Sequence, residues 1–216
     1  MIDILFPRLH KEGYRFLAIS AIATFIFLLF SNFLGIVGFI ITIWIYYFFR
    51  DPERYPINDE NYLLSPADGV ISQITEINGP QELGLEKKKY TRVSIFMNVF
   101  DCHVNRVPAS GTIEQIFYKP GKYINASLDK ASDENERNYL KMTNSNGDEL
   151  ILVQIAGLIA RRIVCERKEK EEIKQGDKFG IIRFGSRVDL YFENHQLMVS
   201  LNQKTVGGET IIAKKK

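Results

Sequence analysis

Residues 183–187, Arg-Phe-Gly-Ser-Arg, set a Gly185-Ser186 pair between two strand-like runs with no other loop residues around it. A tight turn is the ordinary reading of such a pair. A chemical reading is also open, because glycine tolerates strained backbone and a serine hydroxyl attacks the carbonyl just before it when that carbonyl is held and polarised. The attack needs a base, and the chain has only three histidines, His10, His103 and His195. His103 lies in Asp101-Cys102-His103-Val104-Asn105-Arg106-Val107-Pro108, at the end of a strong strand pattern where side chains project into clefts, whereas His10 flanks an uncharged run. A hydrogen-bonded structural histidine is the alternative for His103. Asp68, in Ser65-Pro66-Ala67-Asp68-Gly69, reads by itself as a turn former. Asp101 is an orienting group or an exposed strand end.

Other chemistries find no support. There is no Gly-x-Ser-x-Gly elbow, P-loop, dinucleotide fingerprint or zinc-binding helix motif. Cys102 and Cys165 stand apart from each other and from any histidine cluster with ligand spacing, so neither a metal site nor a disulfide framework is expected. Cys102 reads as a small buried side chain rather than a nucleophile. A net charge of +2 over 216 residues gives no electrostatic basis for nucleic-acid binding.

The elements that must position these residues fall into two parts. Phe16 to Phe49 contains no Asp, Glu, Lys or Arg, and one straight helix of that length would run about 51 Å, well beyond a hydrocarbon core of roughly 30 Å. A break in Ser31-Asn32-Phe33-Leu34-Gly35, with Gly38 close behind, predicts two arms of roughly 15 to 17 residues, each short for a full crossing. A shallow helical hairpin over residues 1–50 follows. Arg8, Lys11 and Arg15 before it and Arg50 and Arg54 after it place both ends on the cytoplasmic face of a cell membrane.

Residues 51–216 read as one mainly-β domain, a sandwich or barrel. Strands are predicted at Val70 to Ile77, Val93 to Val99, Thr112 to Tyr118, Glu149 to Ile155, Phe179 to Phe184, Arg187 to Phe192 and Leu197 to Leu201. Alternation in the sixth of these puts Val188, Leu190 and Phe192 on one face. A short helix is expected at Gly157 to Val164, and Ser132 to Asn138 is expected as a solvated loop.

Together these segments resemble the short, archaeal-type form of the phosphatidylserine decarboxylase proenzyme family. The resemblance runs through Phe48-Phe49-Arg50-Asp51-Pro52-Glu53-Arg54, the segments around Asp68 and His103, Asn125 to Ser132, Asn135 to Asn138, Gln154 to Arg162, and Arg183 to Asp189. It implies a barrel-sandwich-hybrid-like α+β fold and self-cleavage between Gly185 and Ser186, giving a β chain of residues 1–185 and an α chain of residues 186–216 that stay together as a heterodimer. It implies further that Ser186 becomes a covalent pyruvoyl group, with Ser186, His103 and Asp68 as the cleavage triad. The lipid amine would form a Schiff base with that group, and loss of carbon dioxide would convert phosphatidylserine to phosphatidylethanolamine, without a metal. Longer relatives carry a second histidine where this chain has Arg106, a residue that would either hold the substrate's phosphate or carboxylate or serve a structural ion pair. Two rival readings are decarboxylation of another amino-acid-headed phospholipid and a membrane-anchored β module in which Gly185-Ser186 is an ordinary turn.

Overall fold

A computed structural model describes residues 6–123, 134–157, 162–183 and 186–216. In chain order the elements are β1 (Arg8–Leu9), α1 (Tyr14–Phe30), α2 (Asn32–Phe48), β2 (Arg50–Asp51), β3 (Tyr62–Leu64), β4 (Gly69–Asn78), β5 (Lys89–Met97), β6 (Val104–Arg106), β7 (Gly111–Lys119) and β8 (Arg137–Asn144). There follow β9 (Glu149–Ala156), β10 (Arg162–Cys165), β11 (Glu172–Ile173), β12 (Lys178–Arg183), β13 (Ser186–Phe192), β14 (His195–Leu197), β15 (Lys204–Thr205) and β16 (Ile211–Lys215).

Both helices are 17 residues long, about 26 Å each, and so each falls short of a full hydrocarbon core. Ser31 alone breaks the run, with extended backbone at φ −163° and ψ 131°. Gly35 and Gly38, expected near the break, lie inside α2 and let the helices touch: a Cβ on Gly35 would come 2.0 Å from Leu28 Cδ2, and one on Gly38 2.8 Å from Thr24 Oγ1. Close approach also brings Thr24 Oγ1 to 3.0 Å from Thr42 Oγ1, a hydrogen bond across the pair. The outer faces are apolar and exposed, with Leu29 at 70% and Phe30 at 80%. Lys11–Phe30, which includes the leading 3-10 turn, is long and apolar enough to cross a membrane.

The β domain is built on an eight-stranded antiparallel sheet in the order β11-β7-β8-β9-β13-β5-β4-β15. Register shifts between Ile71 and Gln73 and between Ile113 and Gln115 curl it. Two three-stranded sheets, β10-β12-β6 and β14-β16-β3, close over its concave side. Val188, Leu190 and Phe192 enter the resulting core with Val93, Ile95, Leu140, Leu152, Phe179 and Ile182, as the alternation of β13 requires. The opposite face of β13 is buried too, and there Arg187 Nε lies 2.8 Å from Asp189 Oδ1.

Three local expectations change. Arg162–Cys165, which overlaps the end of the expected helix, is a strand pairing with β12, and residues 158–161 lie outside the described residues. The last predicted strand is displaced, with His195–Leu197 extended and Met198 onward outside it. From the expected loop, residues 132 and 133 lie outside the described residues, but Asn135, Glu136, Arg137 and Asn138 are buried. Their polarity is satisfied internally: Asn135 Nδ2 donates to Ala156 O at 2.7 Å, and Glu136 Oε1 accepts from Ile163 N at 3.1 Å. Arg137 lies 3.4 Å from the Glu82 carboxylate.

Candidate active site

Ser186 is the first residue of β13 and its side chain is completely buried. It pairs with Met97 on β5 and Ala156 on β9, so it sits in the middle of the large sheet, and it shares the core-facing side with Val188. Among the described residues its Oγ meets only the Met97 thioether, at 3.9 Å, a weak acceptor. Gly185 lies outside the described residues.

His103 lies just before β6, in the sheet facing Ser186, with its main-chain oxygen 3.4 Å from Ile182 N on the strand that leads toward the junction. It is fully buried against the Phe48 ring, the centroids 4.2 Å apart at 31°. Its Nδ1 lies 3.0 Å from the Asp101 carbonyl oxygen. A carbonyl only accepts, so Nδ1 carries the proton and Nε2 keeps a bare lone pair. That Nε2 is buried and has no hydrogen-bond partner among the described residues. Burial pushes the imidazole down to about 4, helped by the Arg50 charge and opposed by the bond to Asp101. His103 is therefore a neutral base at ordinary pH.

Asp68 is bonded to other partners than the two residues above. Its Oδ2 accepts from Arg54 at 2.7 Å and its Oδ1 from Gly207 N at 2.8 Å. Burial raises its affinity for a proton, against the pull of Arg54 and the Gly207 amide. No hydrogen bond joins Asp68 to His103, or His103 to Ser186, among the described residues; the group orienting the imidazole is the Asp101 main chain. Arg106 donates to Gly176 O and Pro52 O at 2.9 Å each, and lies 3.4 Å from Asp51 Oδ1. Cys102 is buried with its Sγ 3.3 Å from Arg50 O, and burial pushes the thiol up to about 11, which makes it inert. His10 is buried at the hairpin root, 3.2 Å from Glu166, away from the Ser186 side.

Sequence reasoning did not single out a chain of buried amides beneath Ser186. Asn138 Nδ2 donates to Gln154 Oε1 at 3.0 Å, Gln154 Nε2 donates to Asn105 Oδ1 at 2.8 Å, and Asn105 Nδ2 ends on Met97 Sδ at 3.6 Å, the sulfur that Ser186 Oγ also touches. The chain runs between the two sheets and fixes the orientation of every member. Each residue falls in a segment that resembles the family, but position in the core is set by long-range pairing.

A cleft of about 550 Å³ opens at the root of the hairpin, lined by Tyr47, Arg50, Arg54 and Asp68 among others.

A family model described as phosphatidylserine decarboxylase matches residues 41–213. The chain is 60% identical over 215 residues to the phosphatidylserine decarboxylase proenzyme of Pelagibacter ubique, covering all of both chains. It is 53% identical over 211 residues to the proenzymes of that name from Rickettsia typhi and Rickettsia prowazekii, covering 97% of this chain and 91% of theirs.

Proposed function

Because the chain belongs to the phosphatidylserine decarboxylase family, we propose that it matures by cutting its own backbone between Gly185 and Ser186 and then decarboxylates phosphatidylserine to phosphatidylethanolamine. The observation that carries this reading is the fully buried Ser186 hydroxyl, which among the described residues meets only a thioether, together with the buried His103 imidazole whose Nε2 has no hydrogen-bond partner among them.

His103 Nε2 takes the Ser186 hydroxyl proton as Oγ attacks the Gly185 carbonyl carbon; the amide C–N bond breaks, nitrogen takes up the proton, and an ester replaces the amide. Removal of the Ser186 α-proton and breakage of the Cβ–Oγ bond release residues 1–185 with a Gly185 carboxylate. Residue 186 is left as dehydroalanine, and addition of water with loss of ammonia leaves a pyruvoyl cap on residues 186–216. Asp68, paired with Arg54, is the carboxylate we assign to support of the transient imidazolium.

The fit of the pyruvoyl group rests on residues already in place: a small buried side chain at 186, an amide donor on Asn105 whose only acceptor is a thioether, and no competing carboxylate at the Ser186 hydroxyl among the described residues. The group supplies a ketone for the substrate amine and a conjugated carbonyl that takes up the electron pair left by carbon dioxide. His103, having taken a proton from the incoming substrate ammonium, delivers one to the carbon that lost the carboxylate, and the buried site keeps water from competing for that carbon. The β and α chains stay paired because β13 is hydrogen-bonded on both sides by β5 and β9 of the other fragment. The hairpin seats this short-form enzyme on the cytoplasmic face of the cell membrane, so the site reaches headgroups whose acyl chains never leave the bilayer.

A denaturing gel tests the reading. Wild type yields a long and a very small fragment and releases carbon dioxide from phosphatidylserine, and Ser186→Ala yields neither; carbon dioxide release by Ser186→Ala would overturn it.

A further inference from the structure

The cleft at the hairpin root contains three arginines, and their partners differ. The Arg8 side chain is 82% exposed and lies 3.5 Å from Glu53, while Arg54 is committed to Asp68. Arg50 has no carboxylate within ion-pair distance among the described residues. It donates through Nη1 to Tyr47 O at 2.7 Å and through Nη2 to Phe100 O at 2.9 Å. Two carbonyls orient a guanidinium without neutralising it, and its remaining N–H groups are left for an anion. The cation is thus preorganised.

Its position adds a second constraint. Arg50 lies two residues beyond the end of α2, whose last turns carry Trp44, Tyr46 and Tyr47, aromatic residues of the kind that settle where hydrocarbon gives way to headgroups. The Arg50 field also lowers the proton affinity of both His103 and Asp68, so one cation stands between the membrane boundary and both buried titratable groups. A headgroup rising from a bilayer around the hairpin meets this cleft first.

We propose that the cleft is the headgroup subsite and that Arg50 is the counter-ion of the lipid phosphodiester, holding it at the root of the hairpin while the amine reaches residue 186. The inference rests on the decarboxylase reading and adds to it a place and a residue for phospholipid recognition. Arg50 binds the phosphodiester by paired charge-assisted hydrogen bonds and does not itself distinguish serine from other headgroups. Arg54 is withheld by Asp68, and Arg106 is enclosed by Asp51, Pro52 and Gly176.

The test uses the full-length uncleaved Ser186→Ala chain, so the outcome does not depend on maturation. Dihexanoyl-phosphatidylserine is titrated below its micelle concentration, beside dihexanoyl-phosphatidylglycerol, glycerophosphoserine and inorganic phosphate. Adding Arg50→Gln is expected to raise Kd about tenfold or more for both lipids and to weaken glycerophosphoserine alike, with Arg50→Lys between. Inorganic phosphate binding as tightly as the lipids would make the cleft a free-phosphate site and overturn the assignment, and so would an unchanged Kd in a folded Arg50→Gln chain. Should Arg50→Gln fail to fold, phenylglyoxal labelling of the Ser186→Ala chain mapped by mass spectrometry decides: dihexanoyl-phosphatidylserine protects Arg50 and dihexanoylglycerol does not, whereas equal labelling in the two rules the subsite out. A chain that binds in this way but never cuts itself would refute the proposed maturation and leave the subsite standing.

Discussion

Self-cleavage should proceed at nearly full rate at a pH where an ordinary histidine is already protonated. His103 is buried against Phe48, and its imidazole is pushed from 6.5 down to about 4. At pH 5.5 a side chain with the ordinary value would be about nine-tenths protonated and useless as a base, while His103 remains almost wholly neutral, a difference of about tenfold in competent enzyme. The same shift sets a stability window. The unfolded chain binds the proton more readily than the folded one, so the neutral buried ring is fully tolerated above pH 6.5, and stability falls as the pH drops from there toward 4, by about 3 kcal/mol in all. The assay is cell-free translation of the full chain into lipid nanodiscs, transfer of aliquots to buffers from pH 4 to 8, and a time course of the fragment 186–216. A rate that is flat to about pH 5 and declines toward pH 4 is expected. Half-maximal cleavage near pH 6.5 would refute a buried neutral imidazole as the base.

Two further outcomes follow from packing. Asn105→Leu leaves Gln154 Nε2 without its acceptor in the core, which costs about 1–3 kcal/mol, and a thermal midpoint within a degree of that of the parent Ser186→Ala chain would contradict the amide chain. Gly35→Val forces a side chain into Leu28 and should part the hairpin, so a Thr24→Cys/Thr42→Cys pair that cross-links readily in the parent should cross-link several-fold more slowly in the variant; equal cross-linking would show that the helices do not pack through this glycine.

The helix pair was legible in the sequence because 34 residues without one full charge form an apolar run too long for one straight helix of ordinary length, and the single break fell within the expected window, at Ser31. The alternating strands were legible for the same kind of reason, since Val188, Leu190 and Phe192 need a common apolar side. β8 was not. Its sequence, Arg-Asn-Tyr-Leu-Lys-Met-Thr-Asn, has few β-branched residues, and Arg137 and Asn138 find partners on other strands or loops, Glu82 and Gln154, while Asn144 bonds Asp148 in the turn that follows. The glycines of α2 signalled a turn locally but answer to a neighbouring helix.

The site was legible in its parts and less so in its wiring. Ser186 and His103 stood out by residue type and context, and both prove to be buried, with the imidazole bare at Nε2. That the Asp101 carbonyl rather than a carboxylate orients the ring depends on a backbone turn no residue pattern encodes. The allocation of arginines, with Arg106 and Arg54 paired and Arg50 held by carbonyls alone, depends on which carboxylates the fold delivers to each.

The most direct measurement is the intact mass of the small fragment from active, freshly purified enzyme. A peptide of residues 186–216 that resists Edman degradation and is lighter by one ammonia than the same peptide beginning with serine is the predicted result. A fragment beginning with an unmodified serine, or full-length chain alone, in a preparation that decarboxylates phosphatidylserine would contradict the account.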